Sequence, residues 1–134
     1  MMTLPKTKAF PRDKVTRGIN INDKVQPFTD QILTGKKTIE TRRKNSLRPY
    51  VGKKVGIIRT GKGQAMLVGF AVIGEPIFYG TKAEFSADFA RHQVGDKSKF
   101  RFKRGGKFGY PLTSVTRCKP QPVFSRGIIA RKLS

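Results

Sequence analysis

Val25-Gln-Pro-Phe-Thr-Asp-Gln-Ile-Leu-Thr-Gly-Lys-Lys-Thr-Ile-Glu-Thr-Arg42 is the stretch on which the reading of this chain turns. Pro27 suits the first turn of a helix, where its missing N–H would have no partner anyway. Phe28, Ile32 and Leu33 then share one helical face, and Gly35 supplies a left-handed stop. From Lys37 the pattern changes to that of a strand, with Thr38, Glu40 and Arg42 on one side and Ile39 and Thr41 on the other. An acid between two cations, directly after a helix end, suits gripping a polar ligand better than building a core.

Working outward, residues 19–21 read as a first strand and residues 45–52, with Pro49, as a connecting loop. Residues 54–60 form a strand with Val55 and Ile57 on one face. Gly61-Lys62-Gly63 turns the chain, and residues 65–73 make a long apolar strand, so that the two pair as a hairpin. Residues 82–92 predict a second helix with Phe85 and Phe89 on its inner side. Residues 99–103 alternate Phe100 and Phe102 with cations, and Gly105-Gly106 ends the alternation. Two last strands follow near residues 112–117 and 127–132. No internal repeat is present. Many short strands with two or three short helices predict an α+β fold, a small mixed β-barrel, and not a doubly wound sheet. Residues 1–17, basic and carrying Pro5 and Pro11, read as a flexible N-terminal arm, and residues 18–134 as the folded domain.

Composition narrows the function. A chain of 134 residues suits one domain. Cys118 is the only cysteine, which excludes an internal disulfide and fits a reducing, cytoplasmic setting. No apolar run reaches the roughly 18–20 residues that span a bilayer. With 29 Lys and Arg against 8 Asp and Glu, the formal charge is +21. After Asp96 no acid follows at all. A surface of one sign repels itself until an anion neutralises it, so the charge points to a nucleic acid. A face kept soluble by its charge is the plainer alternative. Anionic lipid fits less well, because no basic amphipathic helix accompanies the charge.

Few constellations carry chemistry. His92 stands alone, the acids do not recur at ligand spacing, and no metal or cofactor is expected. His92 by itself reads as a surface or cap residue. The glycine-rich turns lack the spacing of a phosphate loop. Lys37, Glu40 and Arg42 are different. Flanking cations would hold the carboxylate ionised, and the trio could hydrogen-bond a base edge, with Glu40 accepting and the cations donating. Proton transfer is open to the same group if burial lowers the lysine's pKa. A surface ion pair worth under ~1 kcal/mol is the third reading. Phe100 and Phe102 are expected in the core, and Phe108 and Tyr110 at an exposed stacking site.

The segment Gln26, Pro27, Phe28, Gly35, Lys37, Thr38, Ile39, Glu40 and Arg42 resembles the signature of the ASCH domain family, relatives of the PUA-like RNA-binding modules. Tyr50-x-Gly52, the apolar strand through residues 67–74 and Tyr110-Pro111-Leu112 are also similar, so the resemblance covers residues 19–133. It implies a PUA-like barrel with a cleft between the Lys37–Arg42 strand and the segment around Tyr110, binding RNA or nucleotides. The contacts then expected are Gln26, Lys37, Glu40, Arg42, Arg43, Arg59, Arg101, Lys103, Arg104, Lys107, Phe108 and Tyr110. The partner would be single-stranded or structured RNA, alone or in a ribonucleoprotein. Some bacterial relatives resemble amidohydrolases acting on an N4-acylated cytidine, and others have been assigned ribonuclease activity. The resemblance thus also implies an RNA-directed hydrolase using Lys37 and Glu40. In the amidohydrolase branch a threonine stands three residues after the motif lysine; Glu40 holds that place here. A second carboxylate would come from Glu75 or Asp88.

Overall fold

Hydrophobic alternation in the middle of the chain sets the sheet. A computed structural model describes residues 15–133. Strand β1 spans Arg17–Asn22, helix α1 Phe28–Leu33, β2 Ile39–Arg42, β3 Lys54–Thr60 and β4 Met66–Ile73. Then come β5 Ile77–Tyr79, α2 Lys82–Ala87, α3 Phe89–His92, β6 Lys107–Pro122 and β7 Ala130–Lys132. A single 3-10 turn, Arg48–Tyr50, sits in the loop before β3. The strands join in the order β2-β6-β4-β3-β1-β7, with β5 on the other side of β6. The sheet is mixed. β1 runs parallel to β3, with Ile19 beside Ile57, and every other pairing between these strands is antiparallel. It curls into the half-barrel of a small α+β fold.

Strand β6 does the work of two. Its first residues lie between β2 and β5, and from Leu112 onward it pairs with β4. Within the β4-paired stretch the register slips: Thr113 faces Val72, but Thr116 faces Phe70. Ser114 takes φ 50° within this bulge, and such an insertion bends a strand and sharpens its twist. Gly69 sits opposite, where an added Cβ would lie 2.4 Å from Thr116 O and 2.6 Å from Leu33. Glycine is what allows α1 and β6 to approach β4 this closely.

Ile19, Ile21, Phe28, Ile32, Ile57, Ala71, Ile73, Phe85 and Tyr110 belong to the main core. Ile58, Ala65, Leu67 and Val123 form a smaller cluster. β3 serves both through a register shift between Ile57 and Ile58. Helix α1 is held by Asp23, whose carboxylate accepts from the Thr29 N–H at 3.0 Å and from its hydroxyl. Pro27 offers no side-chain cap, so this aspartate supplies it from upstream.

Several expectations change. The helix over residues 82–92 divides at Asp88, whose carboxylate accepts hydrogen bonds from Tyr79 and Arg91. The break turns Phe89 outward, 45% exposed, while Phe85 stays buried. The alternation over residues 99–103 belongs to a loop, and β6 begins after the positive-φ pair Gly105 and Gly106. β5 was not anticipated, since three residues carry too little alternation to register. Of the arm expected over residues 1–17, residues 1–14 lie outside the described residues; Val15 is buried and Arg17 opens β1.

Candidate functional site

The sheet ends at β2 on one side and at β1 and β7 on the other, and between these ends lies a cleft of about 350 Å³. Lys37, Glu40, Thr41 and Arg42 line it from one side, Asn20, Ile21, Asn22 and Arg131 from the other. Phe28 and Phe100 add aromatic wall, their rings edge to face with centroids 6.1 Å apart.

Lys37 reaches this site because it precedes the strand. Gly35, at φ 85°, reverses the chain after α1, and the Lys37 N–H returns to Gln31 O at 2.9 Å. Strict alternation would put Lys37 and Glu40 on opposite faces, but the ladder starts only at Ile39. The two side chains therefore meet, with Lys37 Nζ 3.7 Å from Glu40 Oε1. Lys37 is 2% exposed, donates from Nζ to His92 O at 2.6 Å, and lies over the Phe28 ring. Burial pushes its ammonium below the ordinary lysine range, against the opposing pull of the Glu40 carboxylate.

Glu40 accepts from Arg42 Nε at 3.0 Å, and Arg42 Nη2 donates to Asn20 O at 2.7 Å. Arg42 thus links β2 to β1 across the gap that the sheet leaves open. Asn20 holds the other lip: its Nδ2 donates to Gly127 O and Ile128 O, and its Oδ1 accepts from Arg131 Nε at 3.1 Å. The result is a fixed row of donor, acceptor and donor along one wall of a cleft with apolar flanks. Such a row is complementary to a flat, polar-edged ligand.

The remaining expected contacts scatter. Gln26 is tied to Gln31 and to Gln93 O, where it pins α1 to the segment after α3. Arg43, Arg101, Lys103 and Arg104 are exposed and lie outside the cleft wall. Arg59 lines a separate depression with Lys62 and Arg117. Lys107 is buried, donates from Nζ to Phe100 O, and burial lowers its pKa to about 8. It props the loop behind Phe100 and does not face solvent.

Tyr110 is 0% exposed; its hydroxyl donates to Asn45 and accepts from the Leu47 N–H. Its ring belongs to the core, so it cannot serve as an exposed stacking face. Phe108 packs against Phe78, with centroids 5.0 Å apart, and does not line the cleft. Neither Glu75 nor Asp88 does so either: they pair with Arg48 and Arg91. His92, expected at the surface, is fully buried and stacked on Phe85 at 4.0 Å. Its Nδ1 accepts from the Val94 N–H, which leaves Nε2–H to donate to Phe85 O. Phe100, assigned to the core, also faces the cleft, and Asn20, Thr41 and Arg131 were missed. Arg131 lies far from the motif in sequence, and only the β1–β7 pairing brings it there; Asn20 stands six residues before Gln26, but the partners that hold its side chain at the cleft, Gly127, Ile128 and Arg131, are distant in the chain.

No cluster of three metal-ligating side chains occurs among the described residues. No helix among them is long and apolar enough to cross a membrane.

The fold has solved counterparts. The ASCH protein of Zymomonas mobilis superposes with a TM-score of 0.66 at 20% identity, over 82% of this chain and 74% of that one. A serine-to-alanine mutant of it matches over 90% and 89% of the two chains, with a TM-score of 0.66 at 18% identity. A tyrosine-to-phenylalanine mutant gives 0.64 at 19% identity, over 82% and 76%. No protein-family model and no curated protein matches the chain by sequence.

Proposed function

Starting from this ASCH, PUA-like fold, we propose that the chain binds RNA, holding one unpaired nucleotide in the cleft while the basic surface attracts the strand. The observation that carries the reading is the Lys37–Glu40–Arg42 row beside Phe28 and Phe100. Glu40 would accept from an exocyclic amino group, and the flanking cations would donate to a carbonyl or ring acceptor. RNA recognition favours unstacked bases whose edges and faces are accessible, and a recess of this size suits one base and its sugar. The formal charge of +21 supports a salt-dependent affinity for the phosphate backbone.

The test is equilibrium binding of a labelled single-stranded RNA to wild type and to Lys37→Met and Glu40→Gln variants. Each variant is expected to bind about tenfold or more weakly, the scale of one lost charge-assisted contact. Unchanged affinity in both would defeat the cleft reading.

A hydrolytic reading has one observation in its favour. Lys37 is a buried lysine of lowered pKa, 3.7 Å from a carboxylate, a combination that suits proton transfer. RNA and N4-acetylcytidine incubated with wild type and Lys37→Met separate the two. Turnover that disappears with Lys37 supports catalysis, and no turnover by wild type supports binding alone.

A further inference from the structure

Beside the cleft, Arg17, Arg126, Arg131 and Lys132 converge on a second recess with Tyr50, and no carboxylate lines it among the described residues. Arg17 and Lys132 face each other directly across the β1–β7 pair. Like charges opposite one another in an antiparallel ladder destabilise it. None of the four cations forms an ion pair among the described residues, although Arg42, Arg48, Arg91 and Arg117 elsewhere do. A charged edge strand can serve merely to discourage strand-to-strand aggregation. That role needs cations along β7 alone; here they arrive from β1, the 123–129 loop and β7 together.

Arg131 connects this recess to the cleft. It lines both, and its guanidinium is oriented by Asn20 Oδ1 and by Ser125 O at 3.0 Å. Two of its N–H donors are thereby occupied, and a guanidinium carries five. We infer that the Arg17–Arg126–Arg131–Lys132 recess binds a backbone phosphate of the RNA strand, adjacent to the nucleotide held in the cleft. This rests on the cleft reading and extends it from one nucleotide to a strand with a defined path, crossing Arg131. Arginine suits the task, because its planar fork matches a phosphate's oxygens.

The experiment measures the salt dependence of single-stranded RNA binding for wild type, Arg126→Gln/Lys132→Gln, a control pair Lys44→Gln/Lys53→Gln, and Lys37→Met. The four cations neutralised in the two pairs are exposed, so those variants should fold; a thermal melt verifies it for them and for Lys37→Met, whose site is buried. The Arg126/Lys132 pair is expected to flatten the log–log salt slope by about 1–2, with the control pair changing it by less than half as much. Equal flattening by both pairs would mean that only net charge matters, and would overturn the site. So would an unchanged slope in the Arg126/Lys132 variant. Lys37→Met is expected to lower affinity without altering the slope in the same way; if it binds as wild type does, the cleft reading alone has failed. Inorganic phosphate separates a free-anion site from a strand contact. Stabilisation by phosphate that the Arg126/Lys132 variant loses, alongside unaltered RNA binding, would overturn the strand assignment.

Discussion

Lys37 Nζ donates to the carbonyl oxygen of His92 at 2.6 Å, joining the turn after α1 to the end of α3. The bond does two things. It aims a buried ammonium at Glu40, and it satisfies a carbonyl at the α3 terminus. Lys37→Ala should therefore cost about 1–3 kcal/mol of stability, the range for leaving one buried polar group unpaired. Lys37→Met, which keeps the packing on Phe28 and removes the need to bury a charge, should cost less. Chemical denaturation of both variants checks the order; a methionine variant less stable than the alanine one would contradict it.

Asp23 caps a helix from five residues upstream of its first residue. Asp23→Ala should destabilise the fold by about 1–2 kcal/mol, the upper range for a lost cap, because the Thr29 hydroxyl and N–H both lose their acceptor. Asp23→Asn, which keeps an acceptor, should lose less than half of that. Urea unfolding followed by circular dichroism is the measurement.

Stability should rise with pH in two separate windows. Burial lowers the pKa of His92 below its usual 6.5, so the unfolded chain binds the more protons as pH falls through that value, and acid favours unfolding. Burial likewise lowers Lys107 from 10.5 to about 8, so between about 8 and 10.5 the unfolded state again holds the extra proton. Stability is expected to climb from pH 5 to pH 7 and again from pH 8 to pH 10. Buried Lys37 shifts in the same direction and adds to the alkaline climb. Lys107→Met should flatten much of the alkaline portion and leave the acid portion intact; thermal midpoints across the pH range test both.

Gly69→Ala should be among the most damaging small substitutions. Its Cβ would meet a backbone carbonyl at 2.4 Å, and a carbonyl in a ladder cannot move aside as a side chain can. The expected cost is about 1–3 kcal/mol, typical of overpacking. Amide exchange at residues 113–117 should accelerate with it, since the bulge in β6 is what the methyl group would displace.

The motif from Gln26 to Arg42 carried its local outcome in its residues alone. A proline at a helix start, a glycine at φ 85° and an apolar face at helical spacing are short-range steric facts. The β3–β4 hairpin was legible for the same reason, with glycines of positive φ at Gly61 and Gly63 between two apolar runs. Phe108 and Tyr110 show where such reading stops. Flanking glycine and proline made both look exposed, yet Tyr110 is enclosed by contacts with the 45–47 loop, more than 60 residues earlier in the chain.

Sequence by itself determined the charge, the segment that turns through Gly35, and the three side chains that line one wall of the cleft. Tertiary structure decided what faces them. Asn20, Phe100 and Arg131 reach the cleft through a β1–β7 pairing over more than 100 residues and a loop propped by buried Lys107. The difference is physical: local sterics act between neighbours and leave a mark in spacing, whereas the closing of a curled sheet is a balance of distant packing that no short window contains.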